Sequence, residues 1–490
     1  MSPYLVLGLT LGYFLLMFAI SYRSGRQADN AGFFIGNRQN SWYMVAIAMI
    51  GSSISGVTYV SVPGMVAGSS FAYLQMVLGF ILGQMVIAFV LLPLFYKLNL
   101  FSIYEYLDER FGISSYHTGA WFFFISKMLG ASVRFFLMVL TMQLLVFGPL
   151  GVPFYVNALI SVGLVWVYTF FGGVKSIVST DVLKTLSLVL SLVLSIYFIT
   201  KSLGYDFSGL VGTVKGSDMS RVFFFDDVND RRFFWKQFLA GAFTIIATSG
   251  LDQDMMQRNL SVKSLKESQK NMMVSIIFQF FVIALFLILG LLLYVYADQF
   301  GITLPENGDN VFPFLATGDF FPMVVGILFF IGLISASYSA AGSALTALTT
   351  SFTIDILGGK SHEEKKLTKT RRMVHLAMAA AMTLCIIGFN AINNTSVIDA
   401  VYILSSYTYG PILGMFAFGM ITKRRVYDRW VPLVAILSPL LCYVLDKNSE
   451  AWFGGYQFSY EILILNALFT MIGLTLLMKP KSAEQETAKA

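Results

Sequence analysis

The stretch GLISASYSAAGSALTALTTSFTID, Gly332 to Asp355, is apolar enough to cross a bilayer yet crowded with small residues and hydroxyls. Ser335, Ser337, Ser339, Ser343 and Thr346 fall within about three helical turns. Such a face offers little side-chain area in hydrocarbon. It makes sense as a close helix contact or as a set of oxygen ligands for a hard cation.

The rest of the 490-residue chain agrees with a membrane setting. Hydrophobic residues make up 57% and charged residues 12%, too little polar surface for a soluble chain of this length. Windows of apolar residues long enough to span predict thirteen transmembrane helices, near residues 3–21, 41–68, 74–97, 115–148, 153–171, 178–201, 232–258, 271–296, 321–352, 371–389, 396–421, 427–446 and 459–478. The first has no basic residue before it and Arg23 and Arg26 after it, the reverse of a signal peptide, and reads as a helix with its N-terminus outside. An odd number of spans then puts the C-terminus in the cytoplasm.

Basic residues support that orientation. Of 33 lysines and arginines, six lie in the expected outside loops (Lys201, Lys215, Arg221, Arg231, Arg232, Lys447) and three within spans (Lys127, Arg134, Lys236). The remainder lie in cytoplasmic loops and span ends, led by Lys360 to Arg372 and Lys423 to Arg425. The net charge of +6 follows from this asymmetry, so no nucleic-acid partner is implied, and nothing calls for a protein partner. Cys385 and Cys442 sit in apolar segments, and His117, His362 and His375 are too scattered for a metal site. No soluble domain is expected.

Spans two to six and seven to eleven form two sets of five. Since five is odd, the second set enters from the opposite side, the arithmetic of an inverted repeat. Each set opens on an interrupted span: Gly51-Ser52-Ser53-Ile54-Ser55-Gly56 in the first, Ala247-Thr248-Ser249-Gly250 in the second. Unwound backbone at membrane depth is tolerated where carbonyls line a cavity, although small-residue packing also accounts for such stretches. The expected organisation is 1–40, an extra helix and cytoplasmic loop; 41–201, the first repeat; 232–421, the second; and 427–490, two further helices and a cytoplasmic tail.

Five motifs then carry a family resemblance: SIYEYLDERFG at 102–112, GGVKSIVSTDVLK at 172–184, GLDQDMMQRNL at 250–260, the opening stretch ending in TID at 353–355, and YGPILGMFAFGMITKR at 409–424. In this order the chain resembles the sodium:solute symporters, and among them most nearly the sialic acid symporters. The resemblance implies an all-α polytopic membrane protein with the leucine-transporter-like inverted five-helix repeat. It implies sodium-driven import of a small organic solute by alternating access, in the inner membrane.

The same resemblance implies roles for residues. Ser53, Ser55 and Thr58 match the hydroxyls that contact the sugar, and Arg134 matches the carboxylate-binding arginine. One sodium ion is implied between the carbonyls of Gly51 and Ile54, the Ala336 carbonyl and the Ser339 hydroxyl. Depth agrees: at about 1.5 Å per residue, Ser339 lies about 27 Å from the outer end of its span and Gly51 about 15 Å from the inner end of its own. A second sodium is implied at Asp181, Ser339 and Ser343. Two positions depart from the pattern, Ala340 and Gly342, each standing where relatives carry a hydroxyl.

The residues themselves leave alternatives. Asp181 is an acid at depth that needs a cation, a partner such as Lys184, or a capping role beside Thr180. Arg134 is a carboxylate ligand or a structural charge. Lys127, seven residues earlier, helps the solute leave or snorkels. Gln75 is the better placed of Gln75 and Gln84 to meet sugar hydroxyls, and Phe71, Tyr73, Tyr407 and Tyr409 are candidates to cover the site. The cluster Glu105, Asp108, Glu109, Arg110 reads as a solvated interfacial turn. Asp252, Asp254 and Arg258 read as a cytoplasmic gate network or as solvated helix-end charges. No nucleophile with a base and no metal-ligand spacing suggests an enzyme, and nothing after Lys481 reads as the signalling domain of a membrane sensor. Neutral sugars, amino acids and monocarboxylates are the rival solutes.

Overall fold

The structure, a computed structural model, describes residues 2–25, 40–98, 102–170, 173–358, 364–392 and 397–480. Fifteen helices carry the architecture: α1 (Pro3–Gly25), α2 (Trp42–Ser53), α3 (Gly56–Gly64), α4 (Tyr73–Val86), α5 (Ile113–Met142), α6 (Phe154–Thr169), α7 (Gly173–Ser202), α8 (Phe234–Ile245), α9 (Gln253–Leu260), α10 (Leu265–Gln299), α11 (Met323–Ser351), α12 (Glu364–Ile392), α13 (Val397–Ile421), α14 (Val431–Lys447) and α15 (Ile462–Leu476). Among the described residues the β-structure is limited to two isolated bridges, Asn40 with Val262 and Val426 with Met478.

By length and apolar composition, eight of the described helices could each cross a membrane, and the bent pair α2 and α3 could make a ninth. The count of thirteen read from the sequence is not reached this way. α6 and α15 are apolar but short, and the span expected at 232–258 is divided between α8 and α9.

Both interruptions lie close to where the sequence puts them. α2 ends at Ser53, Ile54 and Ser55 run extended (φ −93°, ψ 100° and φ −91°, ψ 175°), and α3 leaves at 55° to α2. Small side chains and hydroxyls at Ser52, Ser53, Ser55 and Gly56 hold the helix weakly here, because serine competes for backbone hydrogen bonds and glycine loses the most entropy. The second break falls slightly later than Ala247 to Gly250. Those residues lie in a π-helical turn, Ile246–Gly250, and the chain unwinds at Leu251 and Asp252. The Asp252 carboxylate then caps α9 by accepting from the N–H groups of Asp254 and Met255.

The hydroxyl-rich helix α11 lies at the centre, packed against α3, α5 and α7. Close approach explains part of its composition. A Cβ at Gly56 would stand 2.3 Å from Ser337 Oγ, so a side chain there would have to turn that hydroxyl aside for α3 to lie this close to α11. The outward-pointing leucines and aromatics of α1, α10 and α14 face away from this core, as helices bordering lipid require.

Candidate functional site

The break between α2 and α3 leaves acceptors open. Among the described residues no backbone N–H is bonded to the carbonyl of Gly51 or of Ile54, while Ile54 N–H still closes onto Ile50. Free carbonyls of this kind suit a hard monovalent cation. α2 and α3 both pack against α11, the helix that carries Ala336 and Ser339. The Ser339 hydroxyl donates to Asp181 Oδ1 at 2.8 Å. A serine that gives its one proton to a carboxylate keeps its lone pairs for another positive centre.

Asp181 on α7 is fully buried and is not alone. Oδ1 also accepts from Lys184 Nζ at 3.2 Å, and Oδ2 accepts from Arg258 Nη1 at 2.7 Å. The Lys184 pairing is thus one of the alternatives open in the sequence. The Arg258 contact, which joins α7 to α9, is not legible there. Arg258 also donates to Ser52 Oγ and Ser343 Oγ, and through Nε to Asp254 Oδ1 at 3.4 Å. Of the residues expected around a second sodium ion, Ser339 bonds Asp181 directly and Ser343 is joined to it through Arg258. The cations among them are the Arg258 guanidinium and the Lys184 ammonium.

The network continues through α9 to α5 and α13. Lys127 Nζ lies 3.0 Å from both Asp252 oxygens and 3.1 Å from Asp254 Oδ2, and Tyr409 OH donates to Asp252 Oδ2 at 2.8 Å. Lys127 does not snorkel, and Asp252, Asp254 and Arg258 are not solvated helix-end charges. All are buried, Arg258 being only 1% exposed. Three cations (Lys127, Lys184, Arg258) face three anions (Asp181, Asp252, Asp254), so the described cluster sums to zero. Neutral pairing is what makes six charges tolerable at this depth.

Arg134, two turns along α5 from Lys127, is different. It is partly buried, and among the described residues its guanidinium has neither a hydrogen bond nor an ion pair. The hydroxyls of Ser53, Ser55 and Thr58 likewise have no partner among the described residues. They occupy the break and first turn of α3, a helix packed against α5.

Gln75 is placed otherwise than expected. Its amide is fully buried and engaged: the oxygen accepts from Phe224 N–H at 3.1 Å, and the nitrogen donates to the carbonyls of Arg232 at 2.8 Å and Ala72 at 3.3 Å. It ties α4 to the 221–232 loop rather than presenting an amide to a solute. Tyr73 OH pairs with Tyr402 OH at 2.6 Å, and Tyr407 OH donates to Asp446 at 3.0 Å. Phe71 is buried with its N–H on Arg221 O. Arg110 donates to the carbonyls of Gly419 and Thr422, so its cluster is a tether as well as a surface turn. His375 sits between the Thr169 and Thr349 hydroxyls, His117 is exposed, and His362 lies outside the described residues.

A cavity of about 650 Å³ opens on the face that carries the 202–231 and 297–320 loops, with Ser61, Met65, Tyr73, Arg232, Asp309 and Tyr460 in its wall. The charge cluster lies at the two helix breaks, where Arg258 meets Ser52 and Asp252 begins α9.

Known proteins give this arrangement a context. A sequence-family model described as the sodium:solute symporter family matches residues 33–427. The chain is 24% identical over 486 residues to the sodium/sialic acid symporter NanT of Aliivibrio fischeri (strain ATCC 700601 / ES114), covering 95% of this chain and 92% of that one. It is 24% identical over 452 residues to the sodium/sialic acid symporter SiaT of Proteus mirabilis (strain HI4320), covering 87% and 88%. Among solved structures, the substrate-bound outward-open state of a Na+-coupled sialic acid symporter superposes with a TM-score of 0.81 over 97% of this chain and 98% of that one, at 19% identity. The fold is accordingly the all-α, leucine-transporter-like fold of a multi-pass membrane protein.

Proposed function

The chain belongs to the sodium:solute symporter family, and from that premise we propose that it imports a carboxylated sugar, sialic acid in particular, together with sodium. A sodium:solute symporter moves its solute unchanged, so the protein is a transporter and not an enzyme.

The observation that carries the solute reading is the unpaired guanidinium of Arg134. Lys127, Lys184 and Arg258 each hold a carboxylate, whereas Arg134 has none among the described residues. A guanidinium at membrane depth without a counter-charge is costly, and a bidentate carboxylate from a bound solute would satisfy it. The free hydroxyls of Ser53, Ser55 and Thr58 are suited to the polyol remainder of such a solute. The names of the two bacterial relatives point to the same class of molecule. Gln75 takes no part in this site, because its amide is committed to the 221–232 loop.

Sodium is the coupling ion, and we place it at the α2–α3 break, held by the carbonyls of Gly51, Ile54 and Ala336 and by the Ser339 hydroxyl. Binding there joins the broken helix pair to α11. A ligand shifts an equilibrium by the difference in its affinity for the two states. Sodium that bridges two moving parts in one state favours that state and completes the solute site. The cavity on the 202–231 and 297–320 loop face would be the entry from outside, with the chain's N-terminus outside and C-terminus cytoplasmic, the orientation that the excess of basic residues in the expected inside loops favours. The five-helix units 41–201 and 232–421 would be the halves that rock in alternating access, in the inner membrane.

Uptake into proteoliposomes of purified protein tests this reading. Labelled sialic acid should accumulate under an inward sodium gradient and not under a potassium gradient. Equal uptake in sodium, potassium and choline would remove the sodium coupling.

A further inference from the structure

We infer that Arg258 is a tethered cation that occupies the second cation position at Asp181, so that this transporter binds a single sodium ion. The inference rests on the sodium-coupled reading above and adds the ion count to it.

Asp181, Ser52, Ser339 and Ser343 form a buried oxygen cluster drawn from four groups on α7, α2 and α11. One carboxylate and three hydroxyls is a donor set suited to a hard cation. In this chain positive charge is supplied from within. Arg258 directs N–H groups to Asp181, Ser52, Ser343 and Asp254, four acceptors for its five donors. Lys184 adds an ammonium to Asp181 Oδ1 at 3.2 Å and stands 5.0 Å over the Tyr168 ring.

Three features set this cluster against a free ion. Asp181 Oδ1 accepts from both Ser339 and Lys184 and Oδ2 accepts from Arg258, while Ser52 gives its one proton to the Ala48 carbonyl at 2.8 Å, so both carboxylate oxygens already face positive charge. The lone pairs of Ser52 and Ser343 face guanidinium N–H groups. Position 342 cannot add a further hydroxyl, because a Cβ there would stand 1.7 Å from Tyr168 Oη, which is itself bonded to Tyr338 O. Charge agrees with geometry: with three cations and three anions the described cluster is neutral, and a sodium ion would leave it with an uncompensated positive charge.

Ser339 alone belongs to both positions. It bonds to Asp181 and offers its remaining lone pairs to the sodium ion at the α2–α3 break. Arg258 therefore sets the ion count and positions Asp181, which in turn orients the hydroxyl that binds sodium.

The test counts sodium ions bound per chain at saturation, using tracer sodium on the purified full-length protein in lipid nanodiscs, with thermal shift as the measure of folding. The wild type should bind one ion. Arg258→Gln removes one positive charge, leaves the cluster at net −1, and should bind two; Arg258→Lys restores the charge and should return the count to one. Two ions in the wild type would overturn the inference while leaving sodium coupling intact, and none would overturn both. A folded Arg258→Gln protein that still binds one ion would also overturn it. If Arg258→Gln does not fold, the wild-type count decides.

Discussion

Ser339 Oγ and Asp181 Oδ1 lie 2.8 Å apart, a buried hydrogen bond that joins a hydroxyl on α11 to the only carboxylate in the described part of α7. The same hydroxyl is a ligand in the proposed sodium site, and the same carboxylate accepts from Lys184 and Arg258 in the charge cluster. The proposed sodium site and the charge cluster therefore share one side chain, Ser339.

Removing that side chain should uncouple them. Ser339→Ala takes away the proposed sodium ligand and one of the donors to Asp181, and leaves the Arg258 and Lys184 pairs in place. Solute binding should lose most of its preference for sodium over potassium while the protein stays folded. Binding isotherms in the two salts measure this, and an unchanged preference would take Ser339 out of the sodium site.

Arg134→Ala should weaken a carboxylated sugar by well over tenfold and a neutral analogue hardly at all. Losing one desolvated, charge-assisted pair costs on the order of 2 to 5 kcal/mol. Competition by sialic acid, its methyl ester and glucose separates the cases. Tight binding of a neutral sugar that survives the substitution would make Arg134 structural.

The charge cluster should respond to charge rather than to shape. Lys127→Met strands Asp252 and Asp254 with one fewer cation, and removing one partner of a buried pair costs about 3 to 5 kcal/mol. The thermal midpoint should fall, and Lys127→Met with Asp252→Asn should recover much of the loss. A double variant no more stable than Lys127→Met would show that the two side chains are not coupled.

Gln75→Ala should act on the loop and not on the solute. Its amide holds Phe224 N–H and Arg232 O, so limited proteolysis within 221–232 should accelerate. The order of solutes in competition should stay the same. A change in that order would return Gln75 to the binding site.

Much of the framework was legible because it follows from composition and periodicity. The apolar spans, the interruption at Gly51 to Gly56 and the hydroxyl face of α11 are local properties of the chain. The second interruption was displaced to Leu251 and Asp252 because a π-helical turn absorbs Ala247 to Gly250 and the Asp252 cap starts α9. Asp181 stood out as an acid at depth, and Lys184 was visible three residues away. Arg258 as its partner was not, since the contact spans 77 residues and depends on how α9 folds back beneath α2 and α11. The signal was present in a weaker form. GLDQDMMQRNL carries three charges in seven residues beside an apolar span, and Asp181 and Lys127 were two further charges seeking partners. Gln75 misled for the opposite reason: a glutamine near the end of a span looks available until the loop that covers it is known.

The central claim is sodium-driven movement of a carboxylated sugar, and one measurement tests it most directly. Purified protein in proteoliposomes is given labelled sialic acid with an inward sodium gradient, and with an equal potassium gradient as the control. The account predicts accumulation above equilibrium in sodium, collapse of that accumulation when the sodium gradient is dissipated, and no accumulation in potassium. Accumulation that is the same in both salts, or sialic acid that neither accumulates nor competes with the solute that does, would contradict it.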